Sequence, residues 1–118
     1  MNIKEQVQKM DAVVSTGAVV DAVKEFFADS ASTSDHGQGG KTADKAAMVA
    51  KMEGFAGSIA KVNGITLHHS LVDGNVSASE FTFDFDMQDG SKIYWHEIIR
   101  RIWNEEGKVI QEEYFNAE

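Results

Sequence analysis

The sequence predicts an α+β domain in which three N-terminal helices pack on a strongly curved antiparallel β-sheet. Three observations carry this. Apolar residues recur at helical spacing through Ile59, then alternate from Ile65 onward. The alternating runs are separated by Asp73-Gly74-Asn75, Asp89-Gly90 and Glu105-Glu106-Gly107, each a hairpin signal. The two central runs, Val76–Met87 and Ser91–Trp103, span 12 and 13 residues. Strands usually run to about five or six residues, so runs this long in a small domain must bend around something.

Ile3, Val7, Met10, Val13 and Val14 lie at spacings of four, three, three and one, one stripe of a helix ending near Gly17. Val19, Val20, Val23, Phe26 and Phe27 form a second stripe, giving a bent helical hairpin that ends around Asp29. Ser30 to Gly40 is polar and glycine-rich, with room for one short strand at Ser32–Asp35. Thr42 is the expected N-cap of the third helix, which carries Met48, Met52, Phe55 and Ile59 on one side. Strands are expected at Ile65–Val72, Val76–Met87, Ser91–Trp103 and Lys108–Phe115, as a four-stranded meander.

With 118 residues, positions 1–118 make one domain. There is no cysteine, hence no disulfide, thiolate metal site or thiol nucleophile. A net charge of -8 argues against nucleic-acid binding. The first residues lack an apolar signal core, and no run approaches membrane-spanning length, so a cytoplasmic protein is expected, without a membrane role.

Residues 81–115 hold both tryptophans, both tyrosines and four of the seven phenylalanines. Turn length decides which of them share a face. A two-residue turn at Asp89-Gly90 pairs Met87 with Lys92. It places Phe81, Phe83 and Phe85 on the inner face with Tyr94, His96, Ile98 and Arg100. A turn at Asn104–Lys108 with a left-handed Gly107 then brings Glu112 and Tyr114 to that face. A one-residue slip there would instead set Arg100 opposite Glu113 and Arg101 opposite Glu112. A three-residue loop in the first hairpin turns His69 inward as well.

An apolar floor with a few convergent polar groups describes a small-molecule pocket. Its expected lining is Phe55, His69, Phe81, Phe83, Phe85, Ile98, Arg100, Glu112 and Tyr114. His96 is the candidate general acid or base, since its ordinary pKa suits neutral pH, although a hydrogen-bonded core histidine reads the same in sequence. Tyr94 is a second catalytic candidate, as hydrogen-bond donor to an enolate or carbonyl oxygen. Trp95, Ile99, Trp103 and Val109 would lie on the outer face, a patch suited to a homodimer interface. His68 and His69, as strand neighbours, should point to opposite faces, and no metal site or cofactor is expected.

The chain resembles the NTF2-like superfamily, most closely its SnoaL-like members. The resemblance rests on Val7-Gln-Lys-Met-Asp-Ala-Val-Val-Ser-Thr-Gly-Ala, Asp21-Ala-Val-Lys-Glu-Phe-Phe-Ala-Asp-Ser-Ala, Gly40-Lys-Thr-Ala-Asp-Lys-Ala-Ala-Met and Trp103-Asn-Glu-Glu-Gly-Lys-Val-Ile, in that order. It implies a conical pocket under the helices and frequent dimers through the open sheet face. Asp35 and His36 stand where such proteins often carry a polar pair near the pocket mouth, commonly as His-Asp followed by proline. Here the order is Asp-His followed by glycine. Resembling proteins include polyketide cyclases, ketosteroid isomerases, dehydratases and epoxide hydrolases, and also binding or assembly modules. The Asp-Arg-Asp pattern of an epoxide hydrolase is not evident. The expectation is a pocket for a small apolar or amphipathic molecule with isomerase, cyclase or dehydratase-type chemistry. The alternative is a non-catalytic binding or dimeric assembly module.

Overall fold

A computed structural model describes residues 2–35, 41–42 and 44–117. The order of elements is α1 (Ile3–Ser15), α2 (Val19–Phe26), β1 (Phe27–Asp35), β2 (Lys41–Thr42), α3 (Lys45–Gly57), β3 (Ile59–Asp73), β4 (Val76–Met87), β5 (Lys92–Trp103) and β6 (Val109–Asn116). Asn2 caps α1 by accepting from the Glu5 amide at 3.2 Å, and Asp44, not Thr42, caps α3 by accepting from Ala47 at 2.8 Å.

The strands form one sheet in the order β2-β1-β6-β5-β4-β3, curled but not closed. It is larger than the four-stranded meander the sequence suggests, and it is mixed, because β1 runs parallel to β6. The inward positions of β1 are Phe27, Ala31 and Thr33, buried with small side chains at the last two. Thr33 meets Met48 of α3 (3.8 Å to the sulfur). Small residues there admit the helix but give little hydrophobic alternation, which hides most of the strand. At the opposite edge β3 starts at Ile59 and changes register three times, between Ile59 and Lys61, Val62 and Gly64, and Leu67 and His69. Each bulge adds a residue and bends its strand, so this edge supplies curvature that long strands require.

The turn between β4 and β5 sets the sidedness of the site. Met87 pairs with Ser91 across a three-residue loop, the Met87 amide donating to the Ser91 carbonyl at 2.9 Å. Gly90 takes φ +88, and Asp89 accepts from both the amide and the hydroxyl of Ser91. A two-residue type I′ turn would need positive φ at Asp89 too, whereas all positive-φ residues among those described are glycines. The longer loop shifts β5 by one residue. Phe81, Phe83 and Phe85 remain inside, but opposite them stand Glu97, Trp95 and Ile93. Glu97, Ile99, Arg101 and Trp103 therefore face the helices, while Tyr94, His96, Ile98 and Arg100 face away.

A second irregularity, between Ile102 and Trp103, slips β6 by one as well and leaves Arg101 opposite Glu112 and Arg100 opposite Glu113. The two shifts cancel for β6, so Glu112 and Tyr114 stay on the inner face. In the first hairpin Asp73 pairs with Val76 across a two-residue loop, yet beyond the bulge Leu67 pairs with Phe81 and Ile65 with Phe83. The core between layers comprises Val7, Met10 and Val14 of α1, Ala22, Val23 and Phe26 of α2, Met48 of α3, and Phe81, Phe85, Ile99, Trp103 and Val109 of the sheet. No helix among the described residues is long and apolar enough to cross a membrane.

Candidate functional site

The inner face of β5 reads Trp95, Glu97, Ile99, Arg101, Trp103, and its two ends do different things. At the closed end Trp103 is buried and donates from Nε1 to Ser77 Oγ at 2.9 Å. Next to it Arg101 is enclosed, bonded through Nη1 to Asp11 Oδ1 of α1 and through Nε to Glu112 Oε2 of β6, each at 2.8 Å. Asp11 also accepts from Ser79 Oγ at 2.6 Å, and Glu112 accepts from the Tyr114 hydroxyl. Burial works against the Arg101 charge, but Glu112 and Asp11 outweigh it and hold its pKa above the usual value. Every member has a partner, which is what permits charges in a core.

Between this network and the open end lies a cavity of about 180 Å³. Its apolar walls come from Met10 and Val14 of α1, Met48, Met52 and Phe55 of α3, and Phe83, Phe85 and Ile99 of the sheet. Trp95 is 43% exposed and stands at the rim, stacked on Phe55 with centroids 5.8 Å apart and planes at 12°. Phe85 meets Phe55 in an edge-to-face arrangement, also at 5.8 Å, with planes at 67°. Polar groups line it at six positions: Asp35 from β1, Lys51 from α3, Glu97 and Arg101 from β5, and Glu112 and Tyr114 from β6.

Glu97 differs from the rest. It is half-buried, and among the described residues no hydrogen bond or ion pair reaches its carboxyl. Burial raises its pKa, the charges of Asp35 and Glu112 raise it further, and the result is about 7. A carboxyl poised there holds a proton at neutral pH and can give it up or take it back. Tyr114 is pushed well above its ordinary value by burial and then by Glu112. Its hydroxyl proton is already donated to that carboxylate.

The structure places the expected site residues in three groups. Asp35, Phe55, Phe83, Phe85, Glu112 and Tyr114 line the cavity, and Phe81 lies buried beneath it in the core. His69, Tyr94, His96, Ile98 and Arg100 are on the other side of the sheet, moved there by the longer turn and the β3 bulge. His96 Nε2 donates to Glu80 Oε2 at 2.5 Å, His68 lies 2.7 Å from Thr82 Oγ1, and the two rings are 5.3 Å apart. That bulge also sets His69 opposite Glu80, so His68 and His69 share a face instead of pointing apart. Arg100 pairs with Glu113 at 2.6 Å. The expected interface residues are corrected too: Ile99, Trp103 and Val109 are core residues, and Trp95 belongs to the cavity. His36 lies outside the described residues. No group of His, Asp and Glu among the described residues could hold a metal ion.

Sequence reasoning missed Glu97, Arg101, Asp11 and Lys51. One signal was present. The series Trp95, Glu97, Ile99, Arg101, Trp103 has a tryptophan at each end, and its bulk outweighs the alternative series from Tyr94 to Ile102.

No family model and no curated protein matches this sequence. Solved structures do. A protein described as a SnoaL-like polyketide cyclase from Mesorhizobium loti superposes with a TM-score of 0.85 at 20% identity, covering 98% of this chain and 99% of the other. The fold is NTF2-like. A Burkholderia pseudomallei NTF2-like protein of unknown function matches with TM-score 0.79, 12% identity and coverages of 99% and 92%. A Catenulispora acidiphila protein with a ketosteroid isomerase-like fold, solved with trimethylamine, matches with TM-score 0.77, 12% identity and coverages of 94% and 85%. At these identities the likeness establishes the NTF2-like fold and leaves function to the site.

Proposed function

We propose that this NTF2-like chain is a small-molecule protein whose cavity carries general acid–base chemistry of the isomerase, cyclase or dehydratase type, with Glu97 as the group that moves the proton. The single observation behind this is an unpaired, half-buried carboxyl in an apolar cavity with a pKa of about 7. Such a group works as an acid or a base at neutral pH, and desolvation strengthens it as a base. Asp35 shares the cavity and is the nearest second carboxyl by charge. Neighbours of the same fold solved with trimethylamine or with polyporic acid support ligand binding as a use of this architecture. His96 has no part in this reading, being bonded to Glu80 across the sheet.

The test uses 5-nitrobenzisoxazole, a compact aromatic carbon acid that ring-opens when a base removes its C–H proton. The wild-type rate should rise with pH through about 7, and Glu97→Gln should lower it by about 100-fold or more. Equal rates in the two proteins would remove Glu97 from the role.

We place the protein in the cytoplasm and read it as a homodimer through the outer sheet face, where Leu71, Tyr94 and Ile110 are exposed. Sedimentation of Leu71→Asp with Tyr94→Asp tests this. A monomer is expected, and an unchanged dimer would locate the interface elsewhere.

A further inference from the structure

Resting on the reading of this cavity as a ligand site, we propose that it selects a compact organic cation, a protonated tertiary or a quaternary amine. The cation would lie against the aromatic wall of Trp95, Phe85 and Phe83, with Phe55 packed behind it, beside the carboxyls of Glu97 and Asp35.

Three observations lead there. The first is size. A cavity of about 180 Å³ is close to the roughly 150 Å³ apolar cavity known to admit one benzene molecule. It holds one small aromatic ring system or a short branched chain, so a molecule of three or more fused rings would have to remain largely outside.

The second is charge. Groups facing Glu97 among the described residues are Asp35 of β1, Lys51 of α3, Arg101 of β5, and Glu112 and Tyr114 of β6, with Asp11 of α1 behind Arg101. Arg101 is committed to Asp11 and Glu112, and the Tyr114 hydroxyl donates to Glu112. That leaves two uncommitted carboxyls, Asp35 and Glu97, against one exposed lysine at the rim. The interior is thus rich in acceptors and repels anions. A ligand that enters already carrying a carboxylate would meet carboxyls where it needs donors.

The third is the wall. Phe55 meets both Trp95 and Phe85 at centroid distances of 5.8 Å, with Phe83 adjoining Phe85 at 5.9 Å. A cation within about 6 Å of such ring faces is attracted by their quadrupoles, most strongly by tryptophan, and partial desolvation raises the gain. Methyl groups on nitrogen bury apolar surface at the same time. Cation binding favours ionised Glu97, so affinity should climb as pH passes through about 7 and a proton should leave.

The experiment titrates the labelled protein by NMR with three probes of one shape: choline, its neutral isostere 3,3-dimethylbutan-1-ol, and the anion 3,3-dimethylbutanoate. At pH 8 choline should bind at least about tenfold tighter than the alcohol. The anion should bind weakest. Lowering the pH to 6 should shrink the choline preference, and Glu97→Gln should reduce it at least about fivefold at pH 8. Equal or tighter binding of the alcohol, or of the anion, overturns the cation assignment but leaves the cavity a ligand site. Perturbation by none of the three at Phe83, Phe85 and Trp95 overturns both readings. Retained amide dispersion in Glu97→Gln establishes that the variant is folded.

Discussion

Two ends of one cavity wall carry the same residue types in opposite states. At the closed end Arg101, Asp11, Glu112, Ser79 and Tyr114 satisfy one another. At the open end Glu97, four residues from Arg101 on the same face, has neither a counter-ion nor a hydrogen bond among the described residues. Their place on one face of β5 under the helices makes the contrast informative. A paired buried charge holds two elements in place, here α1 and β6 against β5, whereas an unpaired one disfavours the folded state and persists where something else uses it. Charge alone would mark both ends as sites. Partner accounting separates framework from chemistry.

The largest effects should come from the closed end. Arg101→Ala leaves Asp11 and Glu112 buried without their partner and should cost about 3–5 kcal/mol in urea unfolding. Trp103→Ala empties a fully packed position and should cost a similar 3–5 kcal/mol or so. Trp95→Ala, at the rim, should cost much less in stability while weakening choline binding. Comparable losses for the two tryptophans would erase the distinction between core and rim.

Glu97→Gln comes next and should act in the opposite direction. The folded carboxyl titrates near 7, against an ordinary 4.5 when unfolded. Below pH 4.5 both states hold the proton and there is no penalty. As pH rises towards 7 the unfolded state releases its proton first, so the folded state loses stability. Glutamine removes this, and the variant should gain about 1–3 kcal/mol over wild type at pH 8, with the gain vanishing near pH 4. A pH-independent difference would mean that Glu97 is not desolvated. His96→Ala should have the smallest effect. It releases a partly exposed Glu80 whose low pKa comes chiefly from the His96 hydrogen bond, and it should leave the Glu97-dependent rate intact. Loss of that rate would return His96 to the chemistry.

How much of the site was legible depended on the strand. On β4 the inward face was unambiguous, because Phe81, Phe83 and Phe85 alternate with Thr82, Asp84 and Asp86. On β5 both series mix aromatic, aliphatic and charged residues, so hydrophobicity barely separates them. The choice fell to a turn whose length differs by one residue between two plausible forms. The residues between Trp95 and Trp103 that share their face therefore fell on the outer side, Glu97 among them, and His96 read as catalytic. On β6 Glu112 and Tyr114 came out on the right face only because a shift at each of two connections cancelled. β1 escaped detection over much of its length because its inward residues are small.

Period, composition and glycine placement by themselves determined the α+β class, the three helices and a long curved sheet, and the phenylalanine floor. These depend on local spacing, which a sequence states directly. The tertiary structure alone decided the face of β5, the enclosure of Arg101 by Asp11 from a helix 90 residues away, and the isolation of Glu97. Those outcomes rest on a turn that selects its length by Asp89 and Gly90, on bulges that change register within a strand, and on which buried charges find partners. Each is a comparison between alternatives of nearly equal local energy, settled only when helices and sheet close on one another.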